Sequence, residues 1–588
     1  MDVIRGPEID AETDVGELVV RAAAGFADRV AVRERRRGVS LTYEQLLGHV
    51  ETQAGALLAQ GVKAGDHVVV AVPRSAEEVV AVLAVLSVGA VYVPVDGGLP
   101  LPRLRAMLSR VRPVAVIGDP AVVEAAPGPC VPLGPVVITA EPSAGSRPWA
   151  RRAPGDAVYV TFTSGSTGVP KAVRIPHRGV VRLVRGASYL RRGPGERMLR
   201  LAPLAFDAST LEIFCALATG ATLEIYPDGP VSPAELATFL REAGVSVAFL
   251  TAGLFRVMAG EAIDGFATVR QVLTGGDVVP PDAVRALLAR HPGLEVVAAY
   301  GPTENTTFST VHPMTGPADV DGPVPIGRPV AGTTALVLDE EGRPAADGEL
   351  YLGGSGLALD YLDAPEETAR SFVVPPGRHE RFYRTGDLVR RDEDGLLHFT
   401  GRRDRQVKVR GYRIEPAEIE SRLLANPRVK DVAVVVTGVD AGSRRLLAAV
   451  VAEPGDDGLV ERLRGALREE LPGYMVPALW VVIERLPYTR NGKVDVAALE
   501  ARAGSGRARA VPADAFEDVI AGVWKEVLGT GDFGVEDPFF EIGGDSLLAG
   551  RVHLRLRDEL PGHPLRIVDI FQYPTVQALA EHLRGAAR

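Results

Sequence analysis

The sequence has few cysteines, no long apolar run and no excess of positive charge. Cys130 and Cys215 are the only cysteines among 588 residues, too few for a disulfide framework, which indicates a reducing cytoplasm. No apolar run reaches the length of a membrane span, and the N-terminus lacks the apolar core of a signal peptide. A formal net charge of −10 argues against nucleic-acid binding as the main task. We therefore expect a cytoplasmic multidomain protein that binds neither membrane nor nucleic acid.

The composition and hydrophobic pattern of the chain change three times, and these changes predict its domain organisation. Residues 1–403 alternate Val/Ile/Leu runs with Ala/Leu/Glu/Arg segments, the pattern of an α/β unit with parallel sheets. A charged string around Asp404 introduces a smaller α/β unit over 404–500. Small and polar residues at 501–512 are typical of a flexible linker. Amphipathic segments over 513–588 predict a compact helical domain.

A Gly- and hydroxyl-rich segment, Thr163 to Lys171, follows an apolar strand-like run. Glycines let backbone N–H groups approach an anion closely, and the hydroxyls and the ammonium add further donors. This chemistry suits a triphosphate, although Lys171 is spaced wrongly for a Walker P-loop. Taken alone, the segment is equally consistent with an ordinary turn.

Several other residues have a plain structural explanation when each is considered by itself. Glu304 and Asp387 could be solvated turn carboxylates, and Lys493 could be a surface lysine. Ser546 stands at a helix start in a Gly-Gly-Asp-Ser-Leu segment, where serine often serves only as a cap. The order of the segments along the chain distinguishes these alternatives.

A series of short segments follows the order of motifs in one enzyme family. Up to about residue 500 the chain resembles the adenylation domain of nonribosomal peptide synthetases, within the adenylate-forming superfamily, and its end resembles a peptidyl carrier domain. The matching segments are 41–43, 89–96, 163–171, 206–209, 299–304, 348–350, 383–388, 401–420, 471–477 and 491–495. The resemblance implies a large adenylate-forming subdomain, a small mobile α/β subdomain and an all-α four-helix carrier.

The resemblance implies ATP and Mg²⁺ as cofactors, with 4′-phosphopantetheine attached to Ser546. Lys493 would bridge the substrate carboxylate and the α-phosphate, Glu304 would bind Mg²⁺, and Asp387 would accept hydrogen bonds from the ribose. Asp404 would be the hinge about which the small subdomain rotates. This rotation would move Lys493 out of the active site and bring the segment 408–411 into it. The resemblance makes Lys493, Lys171 and Glu304 the catalytic candidates. The remaining nucleotide-binding candidates are Thr163, Ser164, Gly165, Ser166, Thr167, Gly168, Tyr300, Gly301, Thr303, Phe399 and Arg402.

Asp207 separates the subclasses of this family, because an acid here pairs with the α-ammonium group of an amino acid. The aligned substrate positions are Asp207, Ala208, Leu211, Gly253, Leu273, Gly275, Ala299, Thr307 and Phe308, closed by Lys493. Beyond Asp207 and Lys493 the set carries no charge, so a charged substrate side chain would be left unpaired. The glycines suggest depth, and we predict an apolar amino acid, branched aliphatic or aromatic.

The expected function is amino-acid activation and loading of a fused carrier. An acyl- or aryl-acid ligase with an acyl carrier is the alternative that Asp207 disfavours, and a decayed ATP-binding scaffold is the non-enzymatic one. Expected partners are a phosphopantetheinyl transferase and a downstream condensation or tailoring enzyme; the need for an MbtH-like activator is left open. With no condensation or thioesterase segment in the sequence, we expect the chain to load an amino acid without forming a peptide.

Overall fold

A computed structural model provides the structure of the chain. It describes residues 3–127, 130–133, 136–139, 148–165, 170–409, 411–438, 444–452, 458–488, 494–503, 512–529, 531, 533–539, 542, 544 and 546–586. Among these residues, no helix is both long enough and apolar enough to cross a membrane.

Short strands and longer helices alternate over most of the chain up to Arg402. The strands are β1 Ile4–Arg5, β2 Val30–Glu34, β3 Val39–Thr42, β4 His67–Ala71, β5 Val91–Pro94, β6 Ala115–Gly118, β7 Val131–Leu133, β8 Ala157–Thr163, β9 Lys171–Pro176, β10 Arg197–Arg200, β11 Thr222–Ile225, β12 Val247–Thr251, β13 Gln271–Gly275, β14 Glu295–Tyr300, β15 Thr310–Met314, β16 Arg328–Pro329, β17 Thr333–Leu338, β18 Asp347–Gly354, β19 Phe372–Val373, β20 Phe382–Arg391 and β21 Leu397–Arg402. The helices are α1 Val15–Gly25, α2 Tyr43–Ala59, α3 Ala76–Ser87, α4 Leu101–Val111, α5 Pro120–Ala125, α6 His177–Arg185, α7 Ala208–Leu217, α8 Pro233–Ala243, α9 Ala252–Glu261, α10 Pro281–Arg290 and α11 Pro365–Ser371.

Three sheets organise the described strands of this large unit. One has the order β16-β15-β14-β13-β12-β10-β11-β2-β3, with a parallel centre, and the second has the order β7-β6-β4-β5-β8-β9. The third is antiparallel, β1-β17-β18-β20-β19, with β21 on β20. The parallel strands are Val-, Ile- and Leu-rich because helices cover both faces of such sheets.

The rest of the chain forms a small α/β unit and a helical region. The small unit contains β22 Val407–Val409, β23 Tyr412–Ile414, α12 Pro416–Leu424, β24 Val429–Thr437, β25 Arg445–Ala452, α13 Leu459–Glu470, β26 Leu479–Ile483 and α14 Val496–Ala503. The helical region contains α15 Ala515–Leu528, α16 Ser546–Glu559, α17 Ile567–Gln572 and α18 Val576–Ala586. Trp524 and Phe539, both fully buried, anchor its core, with ring centroids 4.8 Å apart.

The register of the nine-stranded sheet decides which residues meet at its edge. Thr251 at the end of β12 pairs with Gly275 of β13, which pairs with Ala299 of β14. In parallel strands the carboxyl ends share one edge, and ligands bind in the crevice outside it. Because side chains alternate along a strand, Phe249 and Thr251 point to the same face.

A buried charge cluster ties this sheet to two helices. Arg200 of β10 is fully buried and lies 2.9 Å from Glu78 of α3 and 2.8 Å from Glu212 of α7. Removing one partner of such a cluster leaves the other charges buried without compensation.

We predict that Arg200→Met lowers the free energy of unfolding of the large unit by about 3–5 kcal/mol. Arg290→Met is the matched control, because the Arg290–Asp264 pair is exposed at both ends, and such pairs contribute about 0–1 kcal/mol. Urea unfolding of both variants checks this, and equal losses would contradict the role of the cluster.

Candidate active site

The Gly-rich segment connects β8 to β9 at one wall of a cavity. Thr163 and Ser164 line this cavity. Lys171 lies 5.1 Å above the Tyr361 ring, and burial lowers the pKa of its ammonium. Ser166, Thr167 and Gly168 lie outside the described residues, so their predicted phosphate contacts stay predictions.

Glu304 is a fully buried acid of the site. Its Oε1 accepts a hydrogen bond from the Tyr361 hydroxyl at 2.7 Å, and Arg413 Nη1 donates to its two oxygens at 3.1 and 2.8 Å. Burial opposes ionisation, but the Arg413 charge and the Tyr361 hydrogen bond outweigh it and lower the pKa of Glu304. The carboxylate is therefore ionised and stabilised by a cation from the small unit.

The small unit also contacts the start of the Gly-rich segment. Ser164 Oγ donates to the Arg413 carbonyl at 2.9 Å, and the Gly165 N–H donates to Glu418 at 3.4 Å. Glu418 is fully buried and lies 2.6 Å from Arg103 of α4. A carboxylate thus lies against the N–H of a segment whose composition suits phosphate.

The ring of Tyr300 and the carboxylate of Asp387 lie together where the two units meet. The Tyr300 hydroxyl donates to Asp387, which also accepts from Arg402. Arg402 Nε donates to Asp404 at 2.7 Å, at the start of the small unit. Lys408 lies 5.6 Å above the Tyr300 ring. Phe399 lines an adjoining cavity that shares Tyr300, Asp387 and Arg402 with the first.

Asp207, Thr303 and Thr307 form the polar end of the cavity. Asp207 Oδ2 accepts from the Thr303 hydroxyl at 2.6 Å, and the Asp207 carbonyl accepts from Thr307 Oγ1 at 3.0 Å. Burial raises the pKa of the Asp207 carboxyl. A cation bound beside Asp207 would lower the pKa again and keep the carboxylate ionised.

The apolar end of the cavity joins the core of the large unit. Ala208, Phe249, Ala299 and Phe308 line it, and the rings of Phe249 and Phe308 lie 5.6 Å apart. Leu211 and Leu273 belong to the same buried cluster but do not line the cavity. Leu211 and Leu273 therefore pack in the core behind the residues that line the cavity.

Gly253 and Gly275, which we expected to leave depth in the cavity, do not line it in this structure. Gly253 lies in the first turn of α9 outside the cavity lining, and the lining position on the preceding strand is occupied by Phe249. The alternation of β12 could have identified Phe249, because it shares a face with Thr251.

Gly275 allows two backbone segments to pack closely and does not deepen the cavity. A Cβ at this position would lie 2.0 Å from the Ala299 carbonyl oxygen. Gly301 allows a similarly close approach of the backbone, because a Cβ on it would lie 2.3 Å from the Thr307 carbonyl oxygen.

A hairpin of the small unit closes one side of the cavity. Lys408, Gly411, Tyr412 and Arg413, on and between β22 and β23, line it. The Tyr412 ring meets Phe206 edge-on at 4.9 Å and stacks on Tyr474 at 3.9 Å. Lys493 lies outside the described residues, so its predicted place in the site remains a prediction.

The helical region packs against the large unit through the helix that begins at Ser546. A Cβ on Gly550 of α16 would lie 3.1 Å from the Val231 carbonyl and 2.9 Å from Pro233, at the start of α8. Arg551, one residue further along α16, pairs with Glu261 of α9. The Ser546 side chain itself is outside the described residues.

Family models match three parts of the chain. "AMP-binding enzyme" matches residues 19–362, "AMP-binding enzyme C-terminal domain" matches residues 418–493, and "Phosphopantetheine attachment site" matches residues 518–583.

The relatives include a tripeptide synthetase and a gramicidin S synthase. The chain is 39% identical to phosphinothricin tripeptide synthetase PhsC of Streptomyces viridochromogenes over 95% of its length, and 35% identical to gramicidin S synthase 2 of Brevibacillus brevis, also over 95%. It spans 52% and 12% of those relatives, respectively.

Among solved structures, holo-PA1221, "an NRPS protein containing adenylation and PCP domains bound to vinylsulfonamide inhibitor", is similar throughout. The TM-score is 0.85 at 34% identity, covering 98% of this chain and 97% of the other. An artificially fused adenylation–PCP di-domain from Klebsiella oxytoca, NpsA-ThdA, has a TM-score of 0.72 at 30% identity, covering 80% and 94%.

The chain belongs to the AMP-binding enzymes, as an adenylation domain of nonribosomal peptide synthetase type followed by a carrier domain. It is an AMP-forming ligase that uses ATP and Mg²⁺, joined to a carrier domain that holds 4′-phosphopantetheine. The predicted family, α/β fold with a helical carrier region, and cofactors are confirmed. The domain boundaries and the role of each site residue stay predictions.

Glu304 fits a Mg²⁺ ion that takes most of its ligands from phosphate and water. Among the described residues, no group of three or more His, Cys, Asp or Glu side chains could hold a metal by itself. A single buried, ionised carboxylate near the Gly-rich segment suits Mg²⁺, which usually binds one or two carboxylates plus substrate phosphates.

We predict that Arg413→Ala loosens the small unit from the large one, because Glu304 would be left buried without its cation. Amide hydrogen exchange in residues 407–414 should become about tenfold faster or more. Arg405→Ala is the control, since the Arg405–Glu420 pair lies within the small unit. Unchanged exchange in Arg413→Ala would contradict this role.

Proposed function

We propose that this chain activates an apolar amino acid and transfers it to its own carrier at Ser546. The supporting observation is the division of the cavity into an acidic end at Asp207 and an uncharged far end. A carboxylate whose pKa is raised by burial is well suited to an α-ammonium group, which would compensate its charge. An acyl or aryl acid would leave Asp207 without that partner, which disfavours the alternative function.

The proposed chemistry has two steps at one site. In the first, an oxygen of the amino-acid carboxylate attacks the α-phosphorus of ATP, and the bond to pyrophosphate breaks. In the second, the pantetheine thiol attacks the acyl carbon, loses its proton, and displaces AMP. Lys493 would stabilise the charge that develops on the oxygens in the first step.

The two steps need different neighbours, which supports a rotation about Asp404. The hairpin β22–β23 lines the cavity together with Arg413 and Lys408. Arg413 Nη1 donates to both oxygens of Glu304, the carboxylate that would bind Mg²⁺, and Glu418 accepts from the Gly165 N–H. We infer that this orientation serves thioester formation, after Mg²⁺ and pyrophosphate have left.

The substrate class follows from the far end of the cavity. Phe249 and Phe308 form its apolar wall, and the Thr307 hydroxyl is engaged with the Asp207 carbonyl. The Phe249 ring lines this end of the cavity, where the sequence comparison had suggested a glycine. This favours a branched aliphatic side chain over an aromatic one.

The proposed partners and compartment follow from the carrier and the cofactors. A phosphopantetheinyl transferase would modify Ser546, and a condensation or tailoring enzyme would take the loaded amino acid. Cys130 and Cys215 are unpaired, and ATP is an intracellular cosubstrate, so we place the reaction in the cytoplasm.

We predict that wild-type protein catalyses ATP–pyrophosphate exchange most strongly with a branched aliphatic amino acid. Asp207→Ala should reduce that exchange about 10²-fold or more, because the α-ammonium loses its charged partner. Exchange assays across the common amino acids and matched fatty and aryl acids test both statements. Strongest activity with a charged amino acid or glycine would refute the pocket, and strongest activity with an acid lacking an amino group would refute amino-acid activation.

We predict that Lys493→Ala separates the two steps. Adenylation should fall about 10²–10³-fold, since one positioned charge is lost from the transition state. Transfer to the carrier from a supplied aminoacyl-adenylate should be unaffected. Pyrophosphate exchange measures the first step and intact-protein mass the second; near-normal exchange would mean that Lys493 is only a surface lysine.

A further inference from the structure

Arg182 of α6 is a buried guanidinium held by backbone carbonyls. It is 1% exposed, and one of its Nη atoms donates to the carbonyls of Asn305, Thr306 and Phe308 at 3.0, 2.8 and 2.8 Å. The other donates to Thr333 Oγ1. Within the described ranges no acidic side chain forms an ion pair with it, and burial lowers its pKa to about 10. A charge buried at this cost calls for a specific explanation.

The three carbonyls belong to a turn with an unfavourable backbone. Thr306 and Thr307 have φ angles of 49° and 63°, in the left-handed region that residues with a Cβ rarely adopt. Such a conformation is strained and persists only where its surroundings impose it. Arg182 bonds to carbonyls on both sides of this pair, so it is placed to impose the turn.

Two glycines allow the surrounding elements to close around the turn. A Cβ on Gly179, in the same helix as Arg182, would lie 2.4 Å from Thr306 Oγ1. A Cβ on Gly356 would lie 2.7 Å from Arg182 Cζ, and its carbonyl accepts from Thr306 Oγ1 at 2.7 Å. The turn is therefore fixed from the helix side and from the β18 side.

This turn carries residues at both ends of the cavity. Glu304 precedes it, Thr307 bonds the Asp207 carbonyl, and Phe308 faces Phe249. A shift of the turn would change the distance between the acidic end and the apolar wall, which sets the length of amino acid that fits.

We propose that Arg182 is a positioning residue that fixes the amino-acid pocket through the left-handed turn at 305–308. The inference rests on the proposed amino-acid pocket, because it assigns the turn a role in selecting the substrate. Arg182 contacts no reacting atom and acts through Thr307 and Phe308.

The test is the kinetics of Arg182→Met and Arg182→Lys in the full chain. We expect Arg182→Met to raise the KM for the amino acid about tenfold or more, as lost hydrogen bonds from a charged group predict, and to leave the KM for ATP within about twofold. Its preference among aliphatic side chains that differ by one methylene should also weaken. Arg182→Lys keeps the charge, so it should restore part of the wild-type KM for the amino acid and part of the preference among aliphatic side chains.

Arg74→Met is the matched control. Arg74 is also buried and donates to three backbone carbonyls, those of Leu201, Tyr226 and Pro227, but none belongs to the turn. It should lose stability without changing the amino-acid KM or preference.

Equal amino-acid KM and preference in Arg182→Met and wild type would overturn the proposal, whatever the loss of stability. If Arg182→Met fails to fold, Arg182→Lys decides by the same KM and preference measurements. The KM is measured for whichever acid the wild type prefers, so an unexpected substrate would refute the pocket assignment and still test the role of Arg182.

Discussion

The buried ion pair between Glu304 and Arg413 joins the two units of the adenylation domain, and the arrangement of the site depends on it. The pair lies where the Gly-rich segment, the turn after β14 and the hairpin of the small unit meet. An ionised carboxylate in such a place needs a cation at every stage of the reaction. In the proposed mechanism Mg²⁺ with ATP and the Arg413 guanidinium would be alternative partners for it, and exchange of one for the other would link nucleotide chemistry to the orientation of the small unit.

The amino-acid end of the site depends on a different constraint, the register of parallel strands. Thr251, Gly275 and Ala299 are paired across β12, β13 and β14, and the left-handed turn follows β14 directly. Gly275 and Gly301 allow backbones to approach where any Cβ would collide. The backbone of these strands and of the turn therefore places the side chains that line the cavity.

Motif residues at strand ends could be predicted from the sequence, because short segments in a fixed order identify the family and its α/β fold. The substrate wall could be predicted only in part. No motif brackets β12 closely, so the alignment placed Gly253 where the strand presents Phe249. The Arg413–Glu304 and Arg182–carbonyl contacts join residues more than a hundred positions apart in the chain, and no local pattern signals such pairs.

The most direct measurement is the intact mass of the wild-type chain after priming with coenzyme A by a phosphopantetheinyl transferase and incubation with ATP, Mg²⁺ and a mixture of amino acids. Ser546→Ala, which keeps the adenylation residues, is the control. The account predicts one pantetheine adduct carrying one branched aliphatic aminoacyl group on the wild-type chain and neither on Ser546→Ala. A primed chain that stays unloaded, or one loaded with an acid lacking an amino group, would contradict it.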